Sequence, residues 1–471
     1  MNDRRSRIFL CLLWLLLIGD LSFSFYQFYG MGLDGDLAGI VAPSEHYTDM
    51  LSDPFGWSVL TEGAVYAAPN RYFVHRFMVA WFGLVPEWFG QLFDPVDALF
   101  LAIASFKFLL QGALIVMGVR FLRLFSPDRA SSFWDSFPLL ALLLFPFFQN
   151  GFLNPVMGII QASPTYSFFY ALPMLLVLLW WYPLLRSRLT SRKIAPLTLL
   201  WLLPLSIALP FTGPLVAGVL AVLIFTSLAA RLLSGPETIY VLLRRRSTLI
   251  LLGTALLCLY SVYIGTHNAE NLTDALPLAQ RYARLPWGVY YLFQIKLGFS
   301  LLAVTTLGLA IWMFRKHHDT RLARCGMFLL LFALLYLLLL PLGGYRAYRS
   351  HIVRADTFLP VTLVLVFYFA LLVRYLIGQL QGRSRLLFGS FVGLLLLYFT
   401  LCDEPEVYTN PCERIALRRI AEAESGPVRL DEGCHVLSWN PDHDPAATYD
   451  KARFLQKVGV LDSLRLWYVP R

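Results

Sequence analysis

Asp34 and Asp36 stand one residue apart in the stretch Gly30 to Gly39, GMGLDGDLAG, directly after the first membrane-length apolar run. Gly30, Gly32, Gly35 and Gly39 free the backbone around the two carboxylates. Such a pair can hold a divalent cation, Mg or Mn, or let one carboxylate act as a general base. The same stretch also suits a polar turn that closes a membrane helix.

A second cluster is basic. In PLGGYRAYRSHIVRADTFLP, Arg346, Arg349 and Arg354 are interleaved with Tyr345, Tyr348 and His351. Arginine forks bind phosphate in a bidentate way and the tyrosines add hydroxyl donors, while the alternative is snorkelling to lipid headgroups. The segment from about Thr266 to Gly288 contributes His267, Glu270, Asp274, Arg281 and Arg284, followed by Trp287, Tyr290 and Tyr291 as an interfacial belt or a stacking surface. Arg71 and His75, one helical turn apart, are candidates for substrate contact. Their neighbours Glu45, His46, Asp49, Asp53 and Glu62 include groups that only solubilise the segment.

The elements that must carry these groups are membrane helices. A chain of 471 residues that is 58% hydrophobic and 15% charged is an all-α polytopic membrane protein, not a set of soluble domains. Its net charge of +9 lies mostly in short connections between apolar runs, where it reports orientation and not a nucleic-acid partner. About eleven runs are long enough to cross: 8 to 28, 95 to 119, 133 to 149, 166 to 185, 195 to 211, 213 to 233, 247 to 265, 289 to 314, 326 to 342, 357 to 377 and 386 to 402. The pair around Pro210 and Pro214 could instead be one kinked helix.

Basic residues alternate between connections as eleven crossings require. Arg120 and Arg123, Arg186 to Lys193, Arg231 to Arg246, Arg315 to Arg324 and Arg374 to Arg385 fall on one side with Arg4, Arg5 and Arg7. This places the amino terminus in the cytoplasm and the carboxyl terminus outside. The amino-terminal run resembles a signal peptide without a small-x-small cleavage site and reads as a retained first helix. Residues 1 to 402 form the membrane part, with a first outer loop over about 30 to 94, in which a helix after Asn70 lies in the interface. Residues 403 to 471 form a small α/β tail domain in which Cys412 and Cys434 can pair in an oxidising compartment.

Together the acidic stretch, the outer arginines and the helix layout resemble the GT-C superfamily of integral-membrane glycosyltransferases. That resemblance implies transfer of a sugar from a polyprenyl-phosphate-linked donor to a glycan, lipid or protein acceptor, at the outer face of a membrane such as the bacterial inner membrane. It makes GMGLDGDLAG the acidic motif, with Asp34 or Asp36 as base or as ligands of a divalent cation. Arg346, Arg349, Arg354, Arg281 and Arg284 become donor-phosphate contacts, and Arg71, His75, His351 and Tyr345 substrate contacts. A transporter or flippase of a lipid-linked or anionic solute is the rival reading; it would use Asp20 and Lys107, ionisable groups within apolar runs that could also pair with each other. A polysaccharide polymerase or ligase would share the arginines without needing the aspartates, and a noncatalytic assembly subunit would be favoured if changing the aspartates had no effect.

Overall fold

The computed structural model describes residues 3–43, 45–125, 132–148, 157–233, 245–271, 276–343, 351–403 and 410–471. Within them nine helices are long and apolar enough to cross a membrane. They lie in α1 (Asp3–Gly30), α6 (Pro95–Leu124), α8 (Pro164–Thr190), α10 (Pro214–Leu233), α11 (Arg246–Gly265), α13 (Leu297–His317), α14 (Thr320–Leu339), α15 (Leu359–Gln379) and α16 (Gly382–Leu401). Two shorter apolar segments, α7 (Phe133–Leu144) with its 3-10 extension and α9 (Pro196–Ala208) with its own, coincide with the remaining predicted runs. The chain is therefore a multi-pass membrane protein, predominantly helical among the described residues.

One boundary differs from expectation. The run predicted over 289 to 314 is broken at Lys296, whose backbone (φ −110°, ψ 73°) leaves the helical region and separates α12 (Leu278–Ile295) from α13. The PFTGP stretch is the expected turn between two helices and not one kinked helix: Gly213, with φ +128°, adopts a conformation that a residue with a Cβ rarely takes.

The segment after α1 forms α2 (Leu37–Val41), α3 (Glu45–Ser52), α4 (Trp57–Glu62) and α5 (Tyr72–Gly90). Thirty residues make α6 about 45 Å long, against a hydrocarbon core of about 30 Å. The surplus supports α5, which packs along the first half of α6: Trp81 Nε1 donates to the Ala102 carbonyl (3.2 Å), and Phe77 and Trp81 pack on Phe106. The amino end of α6 is set by Asp94, whose carboxylate caps Val96 N (3.0 Å), with Pro95 in the first helical position.

The tail comprises α17 (Pro411–Glu422), a parallel pair of two-residue strands, β1 (Val428–Arg429) and β2 (Trp467–Tyr468), and α18 (Tyr449–Lys457). A disulfide joins Cys412 to Cys434. The tail is docked, not tethered. Arg414 lies between the rings of Tyr29 (4.1 Å) and Phe100 (3.9 Å), bonds the Tyr29 carbonyl and reaches Asp97 (3.2 Å), which also receives Arg418 (2.9 Å). Gln27 donates to Asp403 (3.2 Å), and Lys457 donates to the Val41 carbonyl (2.6 Å).

At the centre of this contact Glu413 is fully buried and accepts from Leu33 N (2.8 Å) and Leu437 N (3.1 Å). Burial pushes its carboxyl up to about 8, against those two N–H groups. A raised folded-state value means stability fully present below the ordinary 4.5 and lost as pH rises through about 8. Docking should therefore weaken between about pH 5 and pH 9, and Glu413→Gln should flatten that slope. Thermal unfolding and protease sensitivity of the tail across this range check it; a slope unchanged in the variant would assign the pH dependence to other groups.

Candidate active site

The two aspartates do different jobs. Asp34 is 2% exposed, and five donors from two segments surround its carboxylate. Oδ1 accepts from Asp36 N (2.9 Å), Leu37 N (3.0 Å) and Thr165 Oγ1 (2.8 Å); Oδ2 accepts from Ser163 Oγ (2.7 Å) and Thr165 N (2.8 Å). Asp34 thus pins the turn after α1 to the start of α8, where Ser163 also caps Tyr166 N (3.1 Å) and Pro164 takes the first helical position. A buried carboxylate with its lone pairs filled by protein donors neither takes a proton from substrate nor opens to a cation.

Asp36 is exposed and faces a cavity of about 500 Å3. The cavity lies where the segment after α1, the starts of α8, α10 and α15 and the end of α14 converge. Arg71, Glu270, His351 and Arg354 also line it, with Tyr47, Tyr166, Tyr170 and Tyr336 between them. Its other walls are apolar, from Ile40, Val74 and Phe169 down to Leu215, Val216 and Leu339 on the membrane helices.

The charged groups are individually held. Arg354 Nη2 meets Tyr170 Oη (2.9 Å) and the buried Asp356 (2.9 Å). Burial opposes its charge, and Tyr170 and Asp356 more than offset that, holding the guanidinium above its ordinary value. Tyr47 donates to Glu270 (3.0 Å); burial and that carboxylate raise the phenol, so it stays a donor. Lys296, buried beside this cluster, donates to the Met157 carbonyl (3.3 Å) and is lowered to about 8 by burial, which Asp356 partly offsets.

Other predicted residues fall elsewhere. His75 is buried behind the cavity wall, between Tyr47 (5.5 Å) and Phe169 (4.7 Å), with Nδ1 on the Arg71 carbonyl (3.0 Å); burial lowers it to about 4, so it is neutral at pH 7. It supports the wall and does not line the cavity. Arg281 is spent on the carbonyls of Leu276 (2.7 Å) and Pro341 (3.4 Å), and Arg284 does not line the cavity. His351 lines it and stacks on Tyr291 (4.2 Å). Arg346, Arg349 and Tyr345 lie outside the described residues. Lys107 is buried near the level of Met31, about three helical turns along α1 from Asp20, and donates to Met31 Sδ (3.3 Å) and the Ala162 carbonyl.

The residues present do not fit a cation held jointly by Asp34 and Asp36. Asp34 is saturated by protein donors, and among the described residues no three His, Cys, Asp or Glu side chains cluster as a ligand set. Sequence reading missed Tyr47, Tyr166, Tyr170, Asp356 and Trp439; only Asp356 had a signal, its place two residues after Arg354.

Asp34→Asn should lower stability by on the order of 2–3 kcal/mol, because an amide replaces one acceptor oxygen among five donors. Asp36→Asn, at an exposed position, should cost clearly less than Asp34→Asn. Thermal unfolding of the two variants in one detergent separates these roles, and equal losses would contradict them.

No model of a known protein family matches the chain, and no curated protein is similar to it at a significant level.

Proposed function

We propose that this chain is a membrane glycosyltransferase of the GT-C kind, moving a sugar from a polyprenyl-phosphate-linked donor to an acceptor on the extracytoplasmic face, with the bacterial inner membrane as its setting. The observation that carries the reading is one cavity lined by the Asp36 carboxylate and by the guanidinium groups of Arg71 and Arg354, with an apolar wall running onto membrane helices. A lipid-linked donor needs that combination: a place for its chain beside the bilayer, cations for its phosphate, and a base for the acceptor.

In this reading Asp36 takes the proton of an acceptor hydroxyl and the freed oxygen attacks the anomeric carbon of the donor sugar. The bond from that carbon to the phosphate oxygen breaks, and the lipid phosphate leaves with the electron pair. Arg354 stabilises the charge that builds on it, with Arg71. Asp34 holds the turn that presents Asp36.

The orientation is supported by the basic residues. Arg120, Arg123, Arg186, Arg188, Arg231, Arg315 and Lys316 occupy the carboxyl ends of helices that start at the cavity end, and the carboxyl terminus lies on the cavity side. Eleven crossings follow if the helices over residues 133–148 and 196–211 are counted. The transporter reading draws less support: Lys107 lies near the end of α1 and not at midplane, and it is bonded to backbone.

Asp36→Asn should abolish transfer while leaving the affinity for polyprenyl-phosphate sugars within about twofold, and Arg354→Lys should weaken donor binding about tenfold, roughly 1.4 kcal/mol. Binding and turnover with a panel of such donors decide the matter. Retained turnover in Asp36→Asn, or no binding of any donor by the parent protein, would sink the proposal.

A further inference from the structure

Trp439 comes from the tail, far from the membrane part in sequence, yet lines the cavity beside Asp36, with its Nε1 3.5 Å from Asp36 Oδ1. It is 49% exposed, and its ring lies 6.2 Å from that of Tyr166, inclined by 44°. Tyr166 in turn meets Tyr170 edge to face at 5.7 Å.

The chain holds Trp439 there at a cost. Leu437, two residues before it, is fully buried and adopts φ +51°, a left-handed conformation that is strained for a leucine. It is kept there by the Glu413 carboxyl group, which accepts from Leu437 N and Leu33 N together, and by the Asn410 bond to the His435 carbonyl (2.7 Å). The disulfide from Cys412 to Cys434 ties α17 to the start of the same loop. On the opposing side Gly35 leaves the indole its space: a Cβ there would lie 2.6 Å from Trp439 Cδ1 and 3.0 Å from Trp439 N.

We propose that Trp439 and Tyr166 form a stacking platform for a pyranose ring, so that the molecule presenting its hydroxyl to Asp36 is a saccharide. A pyranose has an apolar face of C–H groups that suits an aromatic ring and an edge of hydroxyls that suits carboxylate and phenol partners. Asp36, Glu270 and Tyr47 offer such partners around the same cavity. A cationic ligand would also suit an indole beside a carboxylate, but Arg71 and Arg354 line this cavity too and disfavour a second positive charge. The inference rests on the transferase reading for the reaction, and narrows its acceptor from glycan, lipid or protein to a sugar.

The test uses full-length fluorotryptophan-labelled protein in lipid nanodiscs, with the Trp439 fluorine resonance identified by its loss in Trp439→Phe. Methyl pyranosides of glucose, galactose and mannose are titrated first, choline chloride second, and undecaprenyl phosphate in a separate binding assay. At least one pyranoside should shift the Trp439 resonance saturably, with a dissociation constant on the order of millimolar, and Gly35→Ala should weaken it about tenfold or more. A resonance moved by no pyranoside, or by choline alone, overturns the platform; if undecaprenyl phosphate still binds, the transferase reading survives that loss. Pyranoside shifts without any lipid-phosphate binding would keep the platform and overturn the transferase reading instead.

Discussion

The site depends on one buried carboxylate. Asp34 takes five hydrogen bonds from the turn after α1 and from the start of α8, two segments more than a hundred residues apart in sequence. Each donor is a backbone N–H or a hydroxyl, so both carboxyl oxygens are satisfied by protein dipoles. Charge-assisted bonds of this kind are short and directional, and they fix the backbone on both sides. Asp36 is displayed because Asp34 is not.

A second buried carboxyl group makes a similar bridge. Glu413 bridges Leu33, one residue before Asp34, and Leu437, two residues before Trp439. The tail is thereby registered against the same turn that carries Asp36, and Arg414, wedged between Tyr29 and Phe100, fixes its lateral position on α1 and α6. What counts as an appendage by sequence becomes part of the cavity wall. The excess length of α6 makes this possible, since its amino end stands beyond the thickness of the hydrocarbon and offers Asp94 and Asp97 to the tail.

The electrostatics of the cavity follow from which groups are paired behind it. Asp356 and Tyr170 hold Arg354 charged despite its burial, while His75, buried without a carboxylate bond, is neutral and serves as packing. Glu270 is engaged by Tyr47. The Asp36 carboxylate and the Arg354 guanidinium are thus held in one cavity by separate supports, each with its own partners.

The amino-acid sequence by itself determined the membrane architecture. Runs of about twenty apolar residues can satisfy their backbone only as helices in lipid, so the positions of those runs are readable without any tertiary information. It also located the acidic stretch, because glycines and carboxylates crowded after a membrane helix stand out from an apolar background. Periodicity could not divide labour between Asp34 and Asp36, since both are two-residue neighbours with the same chemistry and differ only in which segment folds over them. Nor could it bring Trp439, Tyr166 and Arg354 into one cavity. Those meetings depend on long-range docking of the tail and of α8 and α15, where hydrogen bonds between distant segments, which leave no periodic trace in the chain, decide which side chains face each other.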